Sequence, residues 1–361
     1  MNMKNVWPGV VLACLVWATA QPMAAAGGAS PQWQFAVSGD SRNCGDVVMP
    51  AIAAGAAKNH AEFYWHLGDF RAIYDFDDDY QQEAALAAVK PLIIDYHNRA
   101  WDDFIQNQLV PFGNIPVYLG IGNHETAAPK TRADYLTQFS DWLNTPELKA
   151  QRLKDNPVDH KLKTYYHWVR NGVDFINLDN ASSDQFDAAQ MSWASSVIAR
   201  DMTDPAIHTV VVGMHEALPQ SISVGHSMSE TPQGEQSGQA IYQQLLKLQN
   251  EGHKKVYVLA SHSHFFMDGI FNTEFWKTHG GVLPGWIVGT AGAVRYPLPP
   301  AAKDANRSAQ HVYGYLLATV DAEGTIKFDF QELKEADVPA ATMTKFTQAF
   351  VHRCFEENPK Q

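Results

Sequence analysis

Cysteine is scarce in this chain of 361 residues: only Cys14, Cys44 and Cys354 occur. No two lie at metal-finger spacing, so a thiolate zinc site is excluded. Cations are outnumbered, with 27 Lys and Arg against 39 Asp and Glu, a formal net charge of −12. That balance argues against a nucleic-acid-binding surface and against docking on an anionic membrane, both of which need clustered Lys and Arg. After the N-terminus no apolar run is long enough to span a bilayer. There is no Gly-x-Ser-x-Gly elbow, which disfavours a serine hydrolase. Gly289 to Gly292 lacks the context of a nucleotide fingerprint. Internal repeats and a convincing linker are also missing.

What is present is ample core material: 45% hydrophobic and 11% aromatic residues with 18% charged, the profile of a globular chain. Lys4, an apolar stretch over 6–20 and the small residues Ala24, Ala25 and Ala26 read as an export signal. The expectation is a signal peptide over 1–26 and a single domain over 27–361, periplasmic or secreted, with no membrane span after cleavage. Cleavage removes Cys14. Two cysteines left in an exported chain suggest one disulfide, Cys44 to Cys354, with two unpaired buried thiols as the alternative.

Along the chain, strand-like runs at 34–38, 63–67 and 115–121 alternate with helical patterns at 47–58 and 80–109, where Pro91 starts, kinks or stops a segment. Asp77, Asp78 and Asp79 read as the centre of a solvated acidic loop. Asn171-Gly172, between runs at 165–168 and 173–178, is a hairpin signal. Further strands are expected at 208–212, 256–260 and 286–288, with a closing hairpin over 313–330. Residues 218–237, rich in Ser, Pro, Gly and Gln, read as a long loop, followed by an amphipathic helix over 240–250. This order is that of an α/β sheet protein. The insertions at 73–100 and 218–239 are expected to shape the pocket.

Five apolar runs end in residues able to bind a metal: Asp40, Asp69, Asn123, His215 and the pair His262 and His264. The carboxyl edge of an open α/β sheet is where ligands bind. Carboxylate oxygen combined with imidazole nitrogen suits Mn, Fe or Zn better than Ca or Mg alone. In Gly122-Asn123-His124-Glu125, Asn123 offers a neutral oxygen to a metal and His124 a titratable nitrogen. Side by side on a tight turn they suggest two jobs, ligand and proton donor. Metal in a pocket would also let an acidic protein take a phosphorylated substrate.

The motifs run Gly-Asp, Gly-Asp, Gly-Asn-His-Glu, a His after a strand, then His-x-His. In that order the sequence resembles the calcineurin-like metallophosphoesterases, a superfamily that includes purple acid phosphatases, over about residues 34–330. The resemblance implies a four-layer α/β/β/α sandwich: two packed mixed sheets with outer helices. It implies two divalent or trivalent transition metal ions and hydrolysis of phosphate esters by a hydroxide that they activate. Asp40 and His264 would hold the first ion, Asn123, His215 and His262 the second, and Asp69 would bridge. His124 would contact substrate and protonate the leaving group. Glu125 and Glu216 could orient the histidines before them.

One position departs from the pattern. Many members carry Asp-x-His at the first motif, and here that His is Arg42, which cannot ligate a metal. Purple acid phosphatases supply a Tyr three residues after the bridging Asp, and here that residue is Ala72. Tyr74, nearby, is the candidate extra metal ligand. Arg42 could instead bind substrate phosphate in a bidentate fork, or pair with Asp46 or Asp75. The expected function is an exported metal-dependent phosphomonoesterase acting on a small phosphorylated substrate. The alternatives are a phosphodiesterase or nucleotide hydrolase and a non-catalytic metal- and phosphate-binding protein, which the missing first-motif His would favour.

Overall fold

The central apolar runs, such as Val173–Asn177 and Thr209–Gly213, become strands because they find cover on both faces. The structure, a computed structural model, describes residues 32–181 and 185–356. The expected export signal over 1–26 lies outside the described residues. The strands are β1 (Trp33–Ser38), β2 (Tyr64–His66), β3 (Val117–Leu119), β4 (Tyr166–Arg170), β5 (Val173–Asn177), β6 (Thr209–Gly213), β7 (Lys255–Ala260), β8 (Phe266–Asp268), β9 (Gly285–Val288), β10 (Arg307–Ala309), β11 (Tyr313–Val320) and β12 (Ile326–Leu333). One sheet runs β12-β11-β1-β2-β3, the other β10-β8-β9-β7-β6-β5-β4. Both are mixed. β1, β2 and β3 are parallel neighbours, as are β6 and β7, while the hairpin partners pair antiparallel.

The two sheets pack face to face through a core rich in aromatic rings. Phe35 and Phe63 stack at 5.0 Å between centroids, Phe175 meets Phe35 edge-on at 5.2 Å, and Tyr118 lies on Trp168 at 4.0 Å. Pairs of this kind contribute about 0.5–1.5 kcal/mol each beyond area burial. β6 explains why a central strand reads as an unbroken apolar run. Val211 faces the inter-sheet core, while Val210 and Val212 face the outer helices Ala188–Thr203 and Pro232–Asn250. Gly45–Lys58 and Ile93–Phe104 pack in the core on the outer face of the other sheet. The four-layer α/β/β/α sandwich is thus the architecture observed.

Hydrophobic period located most elements, and the hairpin turn has positive φ at Asn171 (49°) and Gly172 (77°), which the Asn-Gly signal demands. β10 (Arg-Ser-Ala) escaped because it is a largely exposed edge strand without an apolar run, and β8 because only Phe266 and Met267 of its three residues are apolar. Residues 218–237 are less loop-like than composition suggested. Leu218, Ile222 and Met228 are buried, and the following helix already starts at Pro232, capped by Thr231, whose hydroxyl accepts from Gly234 N at 3.0 Å. Pro91 separates two helices, Asp78–Leu86 and Ile93–Phe104.

The acidic stretch requires a correction. Asp77 and Asp79 are fully buried, not solvated. Arg71 is the reason: its guanidinium donates to Asp79 at 3.0 Å and to Asp46 at 2.8 Å. Asp77 accepts from Asn43 N and Ala72 N and from the Tyr96 hydroxyl. Repulsion among the carboxylates is offset by a cation 6 to 8 positions earlier in sequence, folded back into their midst. The cluster ties the loop after β2 to the loop after β1. A disulfide between Cys44 and Cys354 spans 310 residues and joins the start of Gly45–Lys58 to the last helix, Gln348–Glu356.

Candidate metal centre

Parallel strands that end together deliver their following loops to one edge. Asp40 follows β1, Asp69 follows β2, Asn123 and His124 follow β3, His215 follows β6, and His262 and His264 follow β7. The loops are stitched to one another: Asp40 N donates to Gly68 O at 3.0 Å, Ser41 N to Asp69 O at 2.9 Å, and Ser261 N to His215 O at 2.8 Å. One donor atom from each of Asp40, Asp69, His215 and His262 lies within 4.8 Å of the others. Asn123 Oδ1 is 3.0 Å from His215 Nε2.

Three of these residues hold a backbone conformation that L-residues avoid. Asp40, Asp69 and His262 have φ of 63°, 61° and 63°. Each such residue costs roughly 1–2 kcal/mol, and strain of this kind persists where the surroundings over-determine it. Both carboxylates are anchored the same way. Asp40 Oδ2 accepts from His262 N at 2.8 Å, and Asp69 Oδ1 accepts from His124 N at 3.0 Å. Their other oxygens, Asp40 Oδ1 and Asp69 Oδ2, are buried and accept no hydrogen bond. Buried bare oxygens of this type cost several kcal/mol unless a cation meets them.

Backbone carbonyls fix the imidazoles. His215 Nδ1 faces Leu67 O at 3.0 Å, His124 Nδ1 faces Ala72 O at 2.6 Å, and His264 Nδ1 faces Val294 O at 2.5 Å. A carbonyl only accepts, so each Nδ1 carries a proton, and in the neutral ring each Nε2 presents its lone pair to the site. His215 Nε2 then lies 3.0 Å from His262 Nδ1 and 3.4 Å from Asp69 Oδ2. Lone pairs meeting at such distances call for a positive charge among them. Burial lowers the pKa of His215, but Asp69 outweighs it and pushes the value up to about 10, so a proton on His215 Nε2 supplies that charge where a bound ion would otherwise do so. Burial, with the His215 charge added, pushes His262 down to about 3.

Close approach of two turns sets the position of Asp69. A Cβ on Gly122 would sit 2.2 Å from Asp69 Oδ1 and 2.6 Å from Asp69 N. Gly122→Ala is therefore expected to displace the carboxylate and to weaken metal binding by about 10–100-fold, the size of effect seen when support of a ligand is lost. Titration calorimetry with Mn²⁺ checks it; unchanged affinity would remove Asp69 from the ligand set.

No protein-family model matches the sequence, and no curated protein matches it either. Solved structures do match the fold. A purple acid phosphatase from yellow lupin, PPD1, superposes with TM-score 0.55 at 14% identity, covering 84% of this chain and 52% of its own. A structure of PhoD superposes with TM-score 0.52 at 13% identity, covering 85% of this chain and 72% of its own. The two packed mixed sheets with outer helices thus match metallophosphoesterase-like folds. The chain spans about half the length of the lupin enzyme.

Within this metallophosphoesterase fold, the residues singled out from sequence converge unevenly. Asp40, Asp69, His215 and His262 form one tight set, and Asn123 joins it through His215. His264 Nε2 is 3.2 Å from Asp40 Oδ1, yet the same nitrogen receives a hydrogen bond from Arg42 Nη2 at 3.2 Å. Arg42 Nη1 donates to the Tyr74 hydroxyl at 3.0 Å. Tyr74 therefore sits on Arg42, with its ring 4.8 Å from that of His124. Arg42 does not pair with Asp46, whose partners include Arg71. His124 Nε2 is 3.6 Å from Asp69 Oδ2 and is nearly buried. His66 bonds Ser41 Oγ and stays out of the cluster.

Glu125 corrects the expectation that it orients a histidine. Its two oxygens accept from the backbone N–H groups of Asp69, Phe70 and Gly122 at 2.8, 2.9 and 2.8 Å. It holds the turn that carries Asp69. Burial, together with the Asp69 charge, pushes its pKa up to about 8 against those three amide bonds. The backbone N–H and C=O of Glu216 bond the Asn180 side chain. Sequence reasoning missed Tyr296, whose ring stacks on His264 at 4.1 Å and on His226 at 5.3 Å. No motif marks it. His226, from the 218–239 insertion, also meets His262 at 5.2 Å, so both insertions supply an aromatic side chain to the site's rim.

Proposed function

We propose that the chain is an exported, metal-dependent phosphoesterase acting on small phosphorylated substrates, with phosphomonoesters the simplest class. The observation that carries this reading is the pair of bare carboxylate oxygens converging with imidazole lone pairs at the carboxyl edge of both sheets. Asp69, Asn123, His215 and His262 would hold a transition metal such as Mn, Fe or Zn, the classes that mixed oxygen and nitrogen donors favour. A bound ion of this kind lowers the pKa of water and draws charge from phosphoryl oxygens.

The chain's own groups do the rest. Asn123 supplies an oxygen without adding negative charge, which keeps the centre attractive to a phosphate. Arg42, permanently cationic, offers a further positive charge beside Asp69 and Asp40. His124, held by Ala72 O, has its Nε2 at the cluster and would donate a proton to the departing alkoxide. Tyr74, His226 and Tyr296 give the rim flat apolar faces suited to the organic part of an ester.

One observation favours a second reading. Arg42 bonds His264, which the two-ion arrangement needs as a ligand. A centre short of one ion suits a protein that binds metal and phosphate without hydrolysis. Turnover of an aryl phosphomonoester beside an aryl phosphodiester, with Mn²⁺ added, separates the readings. Monoester hydrolysis supports a phosphatase. Hydrolysis of the diester alone moves the substrate class to phosphodiesters or nucleotides. Bound metal with no turnover of either supports the binding protein.

A further inference from the structure

The donors do not fit two ions equally, and the misfit is specific. His264 has its Nδ1 proton committed to Val294 O at 2.5 Å. Its Nε2 therefore carries a single lone pair. Arg42 Nη2 uses that lone pair at 3.2 Å, and Arg42 Nη1 is fixed by Tyr74 at 3.0 Å. An imidazole nitrogen with one lone pair accepts a hydrogen bond or binds an ion, not both. Arg42 is nearly buried, at 8% exposure, so its guanidinium has little water to retreat into. It cannot yield its charge either, since arginine stays protonated. An ion between Asp40 and His264 would meet a like charge held against one of its own ligands. In the other donor set the only competitor is a proton, which an ion can displace: Asn123 Oδ1 and His262 Nδ1 each lie 3.0 Å from His215 Nε2, with Asp69 Oδ2 at 3.4 Å.

We infer that this chain holds one metal ion, at Asp69, Asn123, His215 and His262, and that Arg42 serves as the permanent cation in place of a second. The inference rests on the metal-centre reading above. Sequence and geometry agree on the cause, since Arg42 stands where the resembling family carries a histidine ligand. A neutral imidazole there would add a donor and remove a charge. The guanidinium does the reverse: it removes a donor, by occupying His264, and adds a charge.

The test counts ions. The purified full chain is stripped with chelator, loaded with Mn²⁺, freed of excess, and measured for manganese per chain by plasma mass spectrometry. Electron paramagnetic resonance reports whether the manganese ions are isolated or spin-coupled. The expected result is one ion with an uncoupled spectrum for the wild type, and two ions with a coupled spectrum for Arg42→His. Arg42→Gln, neutral and close in shape, is expected to take up a second ion more weakly and keeps the comparison available should Arg42→His misfold. Two coupled ions in the wild type would overturn the inference and leave the metal-centre reading standing. No bound ion would overturn both. One ion in the wild type and in both folded variants would refute the role given to Arg42.

Discussion

Asp69→Asn is expected to lower kcat/KM for a phosphomonoester by at least about 100-fold. The residue is fully buried. One oxygen is held by His124 N at 3.0 Å, and the other is bare and faces His215 and His124 at 3.4 and 3.6 Å. Asn keeps the shape and one acceptor oxygen, so the hydrogen bond to His124 N survives. It removes the charge and turns a potential ligand oxygen into an NH₂ group that repels a cation. Loss of a single preorganised electrostatic group commonly costs about 10²–10³ in rate, and the ligand role proposed for Asp69 would stand at the upper end. Parallel thermal melts and assays check it. Burial opposes the Asp69 charge, but His124, His215 and Arg42 outweigh it and hold the carboxyl well below the usual carboxylate range, so the metal-free variant should melt below the metal-free wild type at neutral pH. Undiminished turnover would remove Asp69 from the centre.

His124→Ala is expected to separate substrates by leaving group. With an alkyl phosphate, whose alkoxide needs a proton as the P–O bond breaks, turnover should fall by about 10²–10⁴-fold, the contribution of a positioned general acid. With an electron-poor aryl phosphate, whose phenolate leaves without help, the fall should be small. The geometry gives the reason. Ala72 O takes the Nδ1 proton at 2.6 Å, so only Nε2 can face a substrate, and it does so from within the cluster. Burial lowers the His124 pKa and the Asp69 charge opposes that drop. Donation from Nε2 requires the imidazolium, and Asp69 is the group that favours it. A plot of log kcat against leaving-group pKa, steeper for the variant than for the wild type, is the signature. Equal falls for both substrates would leave His124 a role in charge stabilisation or binding and remove it as the acid.

Much of the site was legible because its chemistry sits in short motifs at strand ends. Apolar runs end where chain leaves the core, and a polar residue just beyond such an end must point to the sheet edge. Asp40, Asp69, Asn123, His215 and His262 could therefore be named without knowing which strands were neighbours. Roles that depend on contacts between loops were not legible. Glu125 follows a histidine in sequence yet serves three amides around Asp69, because the tight turn that places His124 beside the cluster turns Glu125 under it. The Asp77 and Asp79 carboxylates looked solvated by composition, and only the folding back of Arg71 buries them. Tyr296 has no sequence signal at all.

The sequence by itself determined the kinds of donor, their order and an α/β alternation of elements, since hydrophobic period and strand-end polarity are properties of local chain, while the four-layer sandwich was expected only from the resemblance to the metallophosphoesterases. It also determined that one expected histidine is an arginine. Only the tertiary structure decided what that arginine does. Arg42 and His264 are 222 residues apart and come from loops on different sheets. Their contact depends on how the two sheets stack and on the left-handed turn at Asp40, which directs the following residues into the site. Neither can be computed from local preference, because both are conformations that local preference disfavours and long-range packing imposes.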